Sequence, residues 1–303
     1  MENRRRQFPS GLGVPFSSLG ALPVLLLALA CGCQSFRPAP WAMEKNDKEP
    51  PPPPATPTKN SLRVSQFYFH ADFELKADLP LFKELEALRD QIYKELQLPA
   101  ANTIVQVNIF EDRNKYERFM KARYPELPKR RAFFVAQPRS VGAGEDLLVF
   151  TYWGDRVQMD LRHELTHALL HSVLKDVPLW LDEGLAEYYE VPPGWKGLNA
   201  QHLDHLRQSG FKADLNRLEQ LGQVQQMTPA DYREAWAWVH MMIQGPPEAK
   251  TVLLAYLQQL RANPNPGPLG PRLAEAVPQP DDAVRQHFER INVPTPRPPT
   301  AQK

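Results

Sequence analysis

Three things are scarce in this sequence: cysteine, an excess of charge of one sign, and long hydrophobic runs. The two cysteines stand together at Cys31 and Cys33, so no disulfide can stabilise the rest of the chain. The 36 basic and 35 acidic residues nearly cancel, which leaves no electrostatic footprint for nucleic acid. The longest apolar run, from Leu19 to Ala30, is shorter than the ~20 residues of a membrane-spanning helix.

The first 33 residues have the order of a bacterial export signal. Arg4-Arg5-Arg6 precedes the apolar run and Cys31-Gly32-Cys33 follows it, as in a signal peptide with a lipobox-like end. We therefore expect secretion across the inner membrane and a lipid-anchored place in the cell envelope, with the anchor as the only membrane contact. An ordinary signal peptide or a short uncleaved anchor is the alternative, and either cysteine could carry the lipid.

Composition divides the remainder into a linker, one domain and a tail. Residues 34–60 contain a dense proline stretch and are expected to form an extended spacer. Residues 61–262, about 200 residues, suffice for one domain with a sizeable core. Residues 263–303 are again rich in proline, with one possible short helix over Asp281–Ile291.

The domain contains one short pattern with a definite chemistry, His163-Glu164-Leu165-Thr166-His167. Apolar residues recur around it at three- and four-residue steps, and no glycine or proline occurs from Asp155 to Val177, which predicts a helix that Pro178 ends. Residues four apart on a helix lie on one face, so His163 and His167 can bind one Zn²⁺. Glu164 is then placed to act as general base on a zinc-activated water. A chance match, with odds of roughly 1 in 100, or a pair of structural core histidines is the alternative.

The segment that follows, Pro178 to Glu190, reads Pro-Leu-Trp-Leu-Asp-Glu-Gly-Leu-Ala-Glu-Tyr-Tyr-Glu. A catalytic zinc site needs three protein ligands and an open position, and Glu183 is the natural third ligand. His-Glu-x-x-His followed by Trp-Leu-x-Glu-Gly-x-Ala-Glu-Tyr resembles the gluzincin (peptidase MA-like) zinc metallopeptidases, most closely the bacterial DUF1570 family. In the gluzincin pattern the Glu before Gly is the third ligand, here Glu183.

The resemblance extends loosely over residues 61–262 and is specific only from Arg162 to Glu190. Asp182 stands where the aminopeptidase pattern has Asn, and 15 residues separate His167 from Glu183 instead of about 18. The Gly-x-Met-Glu-Asn motif of those aminopeptidases is absent, so aminopeptidase specificity is not implied. Glu187 remains an alternative ligand, a second-sphere group or a substrate contact, whereas His171 lies ~12 Å along the helix from His163.

The fold expected from these patterns is α+β: a small mixed β-sheet, then a helical subdomain, with zinc in the cleft between them. Strands are predicted at Val64–Phe73, Thr103–Phe110, Arg131–Ala136 and Asp146–Tyr152, the last two separated by a turn at Gly142-Ala143-Gly144. The gluzincin resemblance implies that an edge strand beside the zinc helix can hold a peptide substrate. Asp146–Tyr152 is our candidate for that strand, with a purely structural strand as the alternative.

Further helices are predicted on both sides of the motif. They cover residues 79–98, 113–124, 201–208, 215–221, 229–243 and 249–260. Within them His202 and His205 form a possible but more simply solvated pair. Tyr232 and His240 share a face, and either could donate to a tetrahedral oxyanion as a Tyr or His does in gluzincins, or belong to an aromatic core. The basic cluster of Arg118, Lys121, Arg123, Lys129, Arg130 and Arg131 is interpreted as solvated surface rather than a site for acidic partners.

The predicted function is zinc-dependent hydrolysis of a protein or peptide substrate. His163, His167 and Glu183 would hold one Zn²⁺, and Glu164 would serve as general base. A non-catalytic, envelope-anchored binding module on a metallopeptidase fold is the second hypothesis, against which the intact Glu164 argues. A zinc hydrolase acting on something other than peptides is the third.

Overall fold

A mixed five-stranded sheet and the helices that follow it form the part of the chain that the computed structural model describes, residues 55–139 and 144–291. The fold is α+β, as the sequence predicts. The predicted export signal, most of the predicted proline-rich linker and two residues of the predicted glycine turn lie outside the described residues. The strands are β1 Asn60–Val64, β2 Phe67–Ala71, β3 Val105–Phe110, β4 Phe133–Pro138 and β5 Glu145–Tyr152. The helices are α1 Pro80–Glu95, α2 Arg113–Arg123, α3 Val157–His171, α4 Leu179–Tyr189, α5 Ala200–Gln208, α6 Leu215–Leu218, α7 Pro229–Gln244, α8 Pro247–Ala262, α9 Gly270–Ala276 and α10 Pro280–Arg290.

The strand order is β1-β2-β3-β5-β4, so β1 and β4 are the edges of the sheet. β5 pairs in parallel with β3 on one side and antiparallel with β4 on the other. The prediction that Asp146–Tyr152 is the edge strand is therefore wrong. Its last six residues are all buried, because a central strand covered on both faces is apolar throughout.

The predicted strand Val64–Phe73 is confirmed in part as β2, but the sequence analysis missed β1, which precedes it, and the turn between the two. β1 and β2 form an antiparallel hairpin in which Val64 pairs with Phe67. Ser65 in the two-residue turn has φ 55°, a conformation that hairpin turns need and that glycine or asparagine usually signals. With serine and glutamine in the turn, the sequence carries no such signal.

The two faces of the sheet are covered by different elements. Alternate residues of β3 and β5, such as Val107 and Val149, pack with α1 and α3 in the main core, and the rest of the helical half joins that core. Phe150 on the other face packs with Phe119 of α2 in a smaller cluster. Successive side chains of a strand point to opposite faces of the sheet, so the two cores lie on different faces. Helix α3 is therefore on the face opposite α2.

The motif helix α3 ends at His171, well before Pro178, which corrects the predicted end. The Ser172 hydroxyl donates to the Leu169 carbonyl over 2.6 Å, a side-chain bond that competes with continued helix. Pro178 instead stands at the N-cap of α4, where its missing N–H is not needed.

Helix α4 lies against α7 at unusually short range, and Gly184 makes this possible. A Cβ at Gly184 would stand 2.6 Å from the Ala235 carbonyl oxygen, closer than real Cβ contacts allow. The same α4 segment buries Trp180, and α7 buries Trp236 and Trp238. α4 is thereby seated rigidly between α3 and α7.

The chain beyond residue 262 contributes two helices to the same core. Leu273 of α9 and Val284 and Phe288 of α10 are at most 3% exposed, and α10 packs on α7. The predicted helix over 281–291 is confirmed as α10, whereas α9 falls where the sequence suggested irregular chain. In the described residues no helix has both the length and the apolar character needed to span a membrane.

Candidate metal centre

The three predicted ligands converge on one point. His163 Nε2 and His167 Nε2 lie 3.6 Å and 3.7 Å from the same atom, Glu183 Oε2. His163 and His167 occupy adjacent turns of α3, and Glu183 lies on the first turns of α4. All three donor atoms fall within 4.8 Å of one another. The helices α3 and α4 thus bring two imidazoles and a carboxylate together.

The outward-facing nitrogen of each histidine is held by a further carboxylate. His163 Nδ1 lies 3.2 Å from Glu190 Oε2, and His167 Nδ1 lies 2.9 Å from Asp182 Oδ2. Asp182 also stands 3.2 Å from His171 Nε2. Contacts of this kind fix the imidazole tautomer and aim Nε2 at a shared position. The sequence does not predict this role for either carboxylate, although Asp182 lies in α4 directly before Glu183 and Glu190 stands at the C-cap of α4.

The charges of this cluster support one another. Burial lowers the pKa of His163, but the nearby carboxylates of Glu183 and Glu190 outweigh it and raise the pKa well above its ordinary value. Burial raises the pKa of Asp182, but His167 and His171 reverse the effect and hold it far below its usual range. The histidines and carboxylates of this cluster therefore stabilise each other's charged forms.

A buried arginine fixes the helix that carries the third ligand. Arg162, 2% exposed, donates to the carbonyls of Glu190 and Val191 over 3.1 Å and 2.8 Å. These carbonyls stand at the C-terminal end of α4, where a cation satisfies unpaired acceptors and the helix dipole. Arg162 therefore ties α4 to α3 beside the ligands.

Glu164 shares a cavity with the three ligands. The cavity, about 140 Å³, is lined by His163, Glu164, His167 and Glu183 and by edge strand β4. Phe134 of β4 stacks on His167 with ring centroids 6.2 Å apart. Desolvation raises the pKa of Glu164 against the opposing charges of the two histidines. A carboxylate so placed can exchange a proton with a molecule held in the cavity.

Of the two candidate oxyanion donors, Tyr232 lies near the cluster. Its phenol accepts a hydrogen bond of 2.7 Å from Arg130 Nη2, and Arg130 lines the cavity. Burial raises the pKa of Tyr232, as does the charge of Glu183. Tyr232 therefore stays protonated at neutral pH, with its O–H free to donate.

His240 is placed elsewhere, which corrects its prediction as a donor at this site. Its Nδ1 lies 2.9 Å from His287 Nε2 of α10, and its ring packs against Trp236, Tyr188 and Phe288. Neither His240 nor Tyr232 lines the metal-site cavity, but Tyr232 bonds to Arg130, which does. The helical period puts Tyr232 and His240 on one side of α7, but two turns of rise separate them.

The remaining alternatives are engaged with other groups. Glu187 Oε2 lies 2.7 Å from His202 Nε2, so the two form a pair, and His205 Nδ1 instead lies 2.7 Å from the Gln201 carbonyl. His163, Glu187 and Glu190 form a second group of possible ligands. We favour the first group as the centre because it includes His167 and opens on the cavity beside Glu164.

The donor set fits a zinc ion. Ligand atoms around tetrahedral zinc, bound at about 2.0–2.1 Å, stand about 3.3 Å apart, close to the 3.6 Å and 3.7 Å found. Glu183 Oε2 is buried and accepts no hydrogen bond from a described residue. A buried carboxylate oxygen without a donor is costly, and a cation at this point would satisfy it.

Comparison of the chain with models of known protein families and with curated proteins found no match. The site therefore has to be interpreted from its own geometry.

Proposed function

We propose that the chain is a zinc-dependent metallopeptidase of the gluzincin type. The observation that carries the proposal is the convergence of His163 Nε2 and His167 Nε2 on Glu183 Oε2, in a cavity that also contains Glu164. Two imidazoles and one carboxylate leave a fourth position open, as a catalytic zinc site requires.

The roles of the residues follow from their positions. When bound, zinc supplies Lewis-acid activation of a water molecule and of the substrate carbonyl. Glu164 takes a proton from the water and returns it to the leaving amine. Tyr232, held by Arg130, donates its O–H to the developing oxyanion. Asp182 and Glu190 keep the two histidines oriented.

The substrate in this proposal is protein or peptide in the cell envelope. The edge strand β4 lines the cavity beside the ligands, and its unpaired backbone edge can add an extended peptide as a further strand. The envelope location rests on the export signal and lipobox-like residues of the sequence alone.

The test uses the full chain and measures zinc content together with hydrolysis of a labelled unfolded protein. We expect one zinc per chain, lost in His163→Ala and in Glu183→Ala. Glu164→Gln is expected to keep the metal and lose turnover by a factor of at least about 100. Glu86→Gln, an exposed carboxylate of α1, is the matched control and should retain both.

Three other results would each change the proposal. A zinc-loaded chain without turnover on any protein or peptide leaves the binding module. Zinc kept in Glu183→Ala would move the third ligand to Glu187. No zinc after reconstitution would end the metallopeptidase proposal.

A further inference from the structure

The basic cluster between α2 and β4 surrounds a cavity rather than a flat surface. About 440 Å³ in volume, this second cavity lies between α2 and the loop that leads to β4. Four basic side chains contribute to its lining: Arg118, Lys121, Lys129 and Arg130. Arg123 and Arg131 of the same cluster do not line it. We call this cavity the basic groove.

The basic groove joins the metal-site cavity. The two share five lining residues, namely Tyr124, Leu127, Pro128, Arg130 and Phe133. The loop before β4 therefore forms a common wall, and Arg130 stands at the junction with its guanidinium on Tyr232. The groove therefore lies directly beside the metal-site cavity, so the two can receive neighbouring segments of one polypeptide chain.

The charge of the basic groove is not neutralised by the protein. Arg118, Lys121 and Lys129 are exposed, and none forms an ion pair with another residue in the described ranges. Glu117 is the one acidic lining residue, and it is already bonded to Arg113 over 2.7 Å. Several unpaired cations around a concave surface attract an anionic ligand and raise its local concentration.

The floor of the basic groove is apolar. Tyr116, Met120 and Tyr124 are at most 7% exposed and belong to the smaller core, and all three line the groove. An apolar floor with a cationic rim suits a polypeptide segment that alternates acidic and apolar side chains, because the carboxylates reach the rim and the apolar groups meet the floor.

We infer that the basic groove binds an acidic segment of the polypeptide substrate, next to the bond that is cleaved. The inference rests on the proposed peptidase function and adds a preference for substrate that this function alone does not include. Carboxylate side chains of the substrate pair with Lys121, Lys129 and Arg118 at the rim.

The test measures binding to the zinc-loaded full chain with Glu164→Gln, so that the probe stays intact. The probe is a fluorescein-labelled dodecapeptide that alternates Glu with Leu or Phe, compared with the same peptide carrying Gln for every Glu. We expect the Glu peptide to bind at least about tenfold more tightly near physiological salt, as several surface ion pairs of ordinary strength would give. The preference should decrease as salt increases.

Two charge-reversed variants locate the preference. Lys121→Glu with Lys129→Glu is expected to abolish it while zinc content and melting temperature stay unchanged. Lys76→Glu with Lys83→Glu introduces the same charge change at exposed positions near the start of α1, on the opposite face of the sheet, and should leave the preference intact.

Four results would overturn the inference: equal affinity for the Glu and Gln peptides, an unchanged preference in Lys121→Glu with Lys129→Glu, a preference that disappears when the peptide C-terminus is amidated, or equal binding of a single-stranded oligonucleotide of the same charge. The third would assign the groove to a chain end and the fourth to polyanions in general. Hydrolysis by the unsubstituted chain without charge preference overturns the groove alone. Charge-selective binding without any hydrolysis supports the groove and overturns the peptidase.

Discussion

Two buried histidine clusters in this molecule differ in what surrounds them. In the first, on α3, His163 and His167 each contact a carboxylate through Nδ1. In the second, His240 of α7 meets His287 of α10 over 2.9 Å amid aromatic rings. The pKa of both histidines in the first cluster is raised, whereas burial lowers the pKa of His240 to about 3 and that of His287 to about 4.

The two clusters therefore differ in their carboxylates rather than in their histidines. In the first cluster Asp182, Glu183 and Glu190 supply negative charge that a metal ion or protons can balance. In the second no carboxylate contacts either ring among the described residues, and the neutral imidazoles serve as aromatic core. Three measurements test this contrast.

The largest effect is expected from Tyr232→Phe. Removing one oxyanion donor should lower the turnover number by about 10²–10³-fold with zinc content unchanged. His240→Gln, in the second cluster, should leave turnover at pH 7 unchanged because its ring contacts His287 and aromatic side chains that do not line the metal-site cavity. Equal losses in the two variants, measured with a labelled peptide at matched zinc content, would break the contrast.

A smaller effect is expected from Asp182→Ala. This change removes the contacts to His167 and His171, and loss of such an orienting group should weaken zinc binding about 10–100-fold. Competition with a chromophoric chelator measures the affinity. His287→Gln is the control from the second cluster, and a drop of similar size in that variant would mean that general loosening of the fold, rather than orientation, is being measured.

The smallest effect is a pH dependence of stability from the second cluster. The folded pKa of His240 lies below its ordinary value, so the unfolded chain binds the proton first and stability is lost as pH falls below about 6.5. His287 from α10 and Tyr188 from α4 face the ring. At pH 5.5 His240 should contribute a loss of about 1.4 kcal/mol relative to high pH.

Urea unfolding at pH 7.5 and pH 5.5 measures this loss. His240→Gln should show a change between the two pH values that is smaller by that amount, although its stability at pH 7.5 can be lower. An identical change in both proteins would show that His240 is not held neutral.

The cluster of His163, His167 and Glu183 could be predicted from the sequence because its geometry is local. The helical period fixes His163 against His167, and Glu183 follows on the next helix after a short connection. The order of strands in the sheet could not be predicted, because pairing of β5 between β3 and β4 depends on long-range contacts that leave no periodic signal. The position of His240 could not be predicted for the same reason, because the residues of α10 that contact it are distant in the sequence.

The contacts of Asp182 and Glu190 with the two histidines were not predicted, although both residues belong to the motif segment. Glu190 follows Glu183 by seven residues, two turns of helix, so both lie on one side of α4. Asp182 could be noticed only as a departure from the aminopeptidase pattern. Arg130 belongs to a run of basic residues, and nothing in that run distinguishes the one that reaches Tyr232 from those that reach solvent.

The close approach at Gly184 has a consequence for the whole helical half. Gly184, the residue after Glu183, packs directly against the Ala235 carbonyl of α7. This contact fixes how far Glu183 lies from the two histidines. The position of α7 therefore sets the position of α4, and with it the position of Glu183. Because His287 of α10 contacts His240 of α7, α10, the last helix in the described residues, supports the helix against which Gly184 packs.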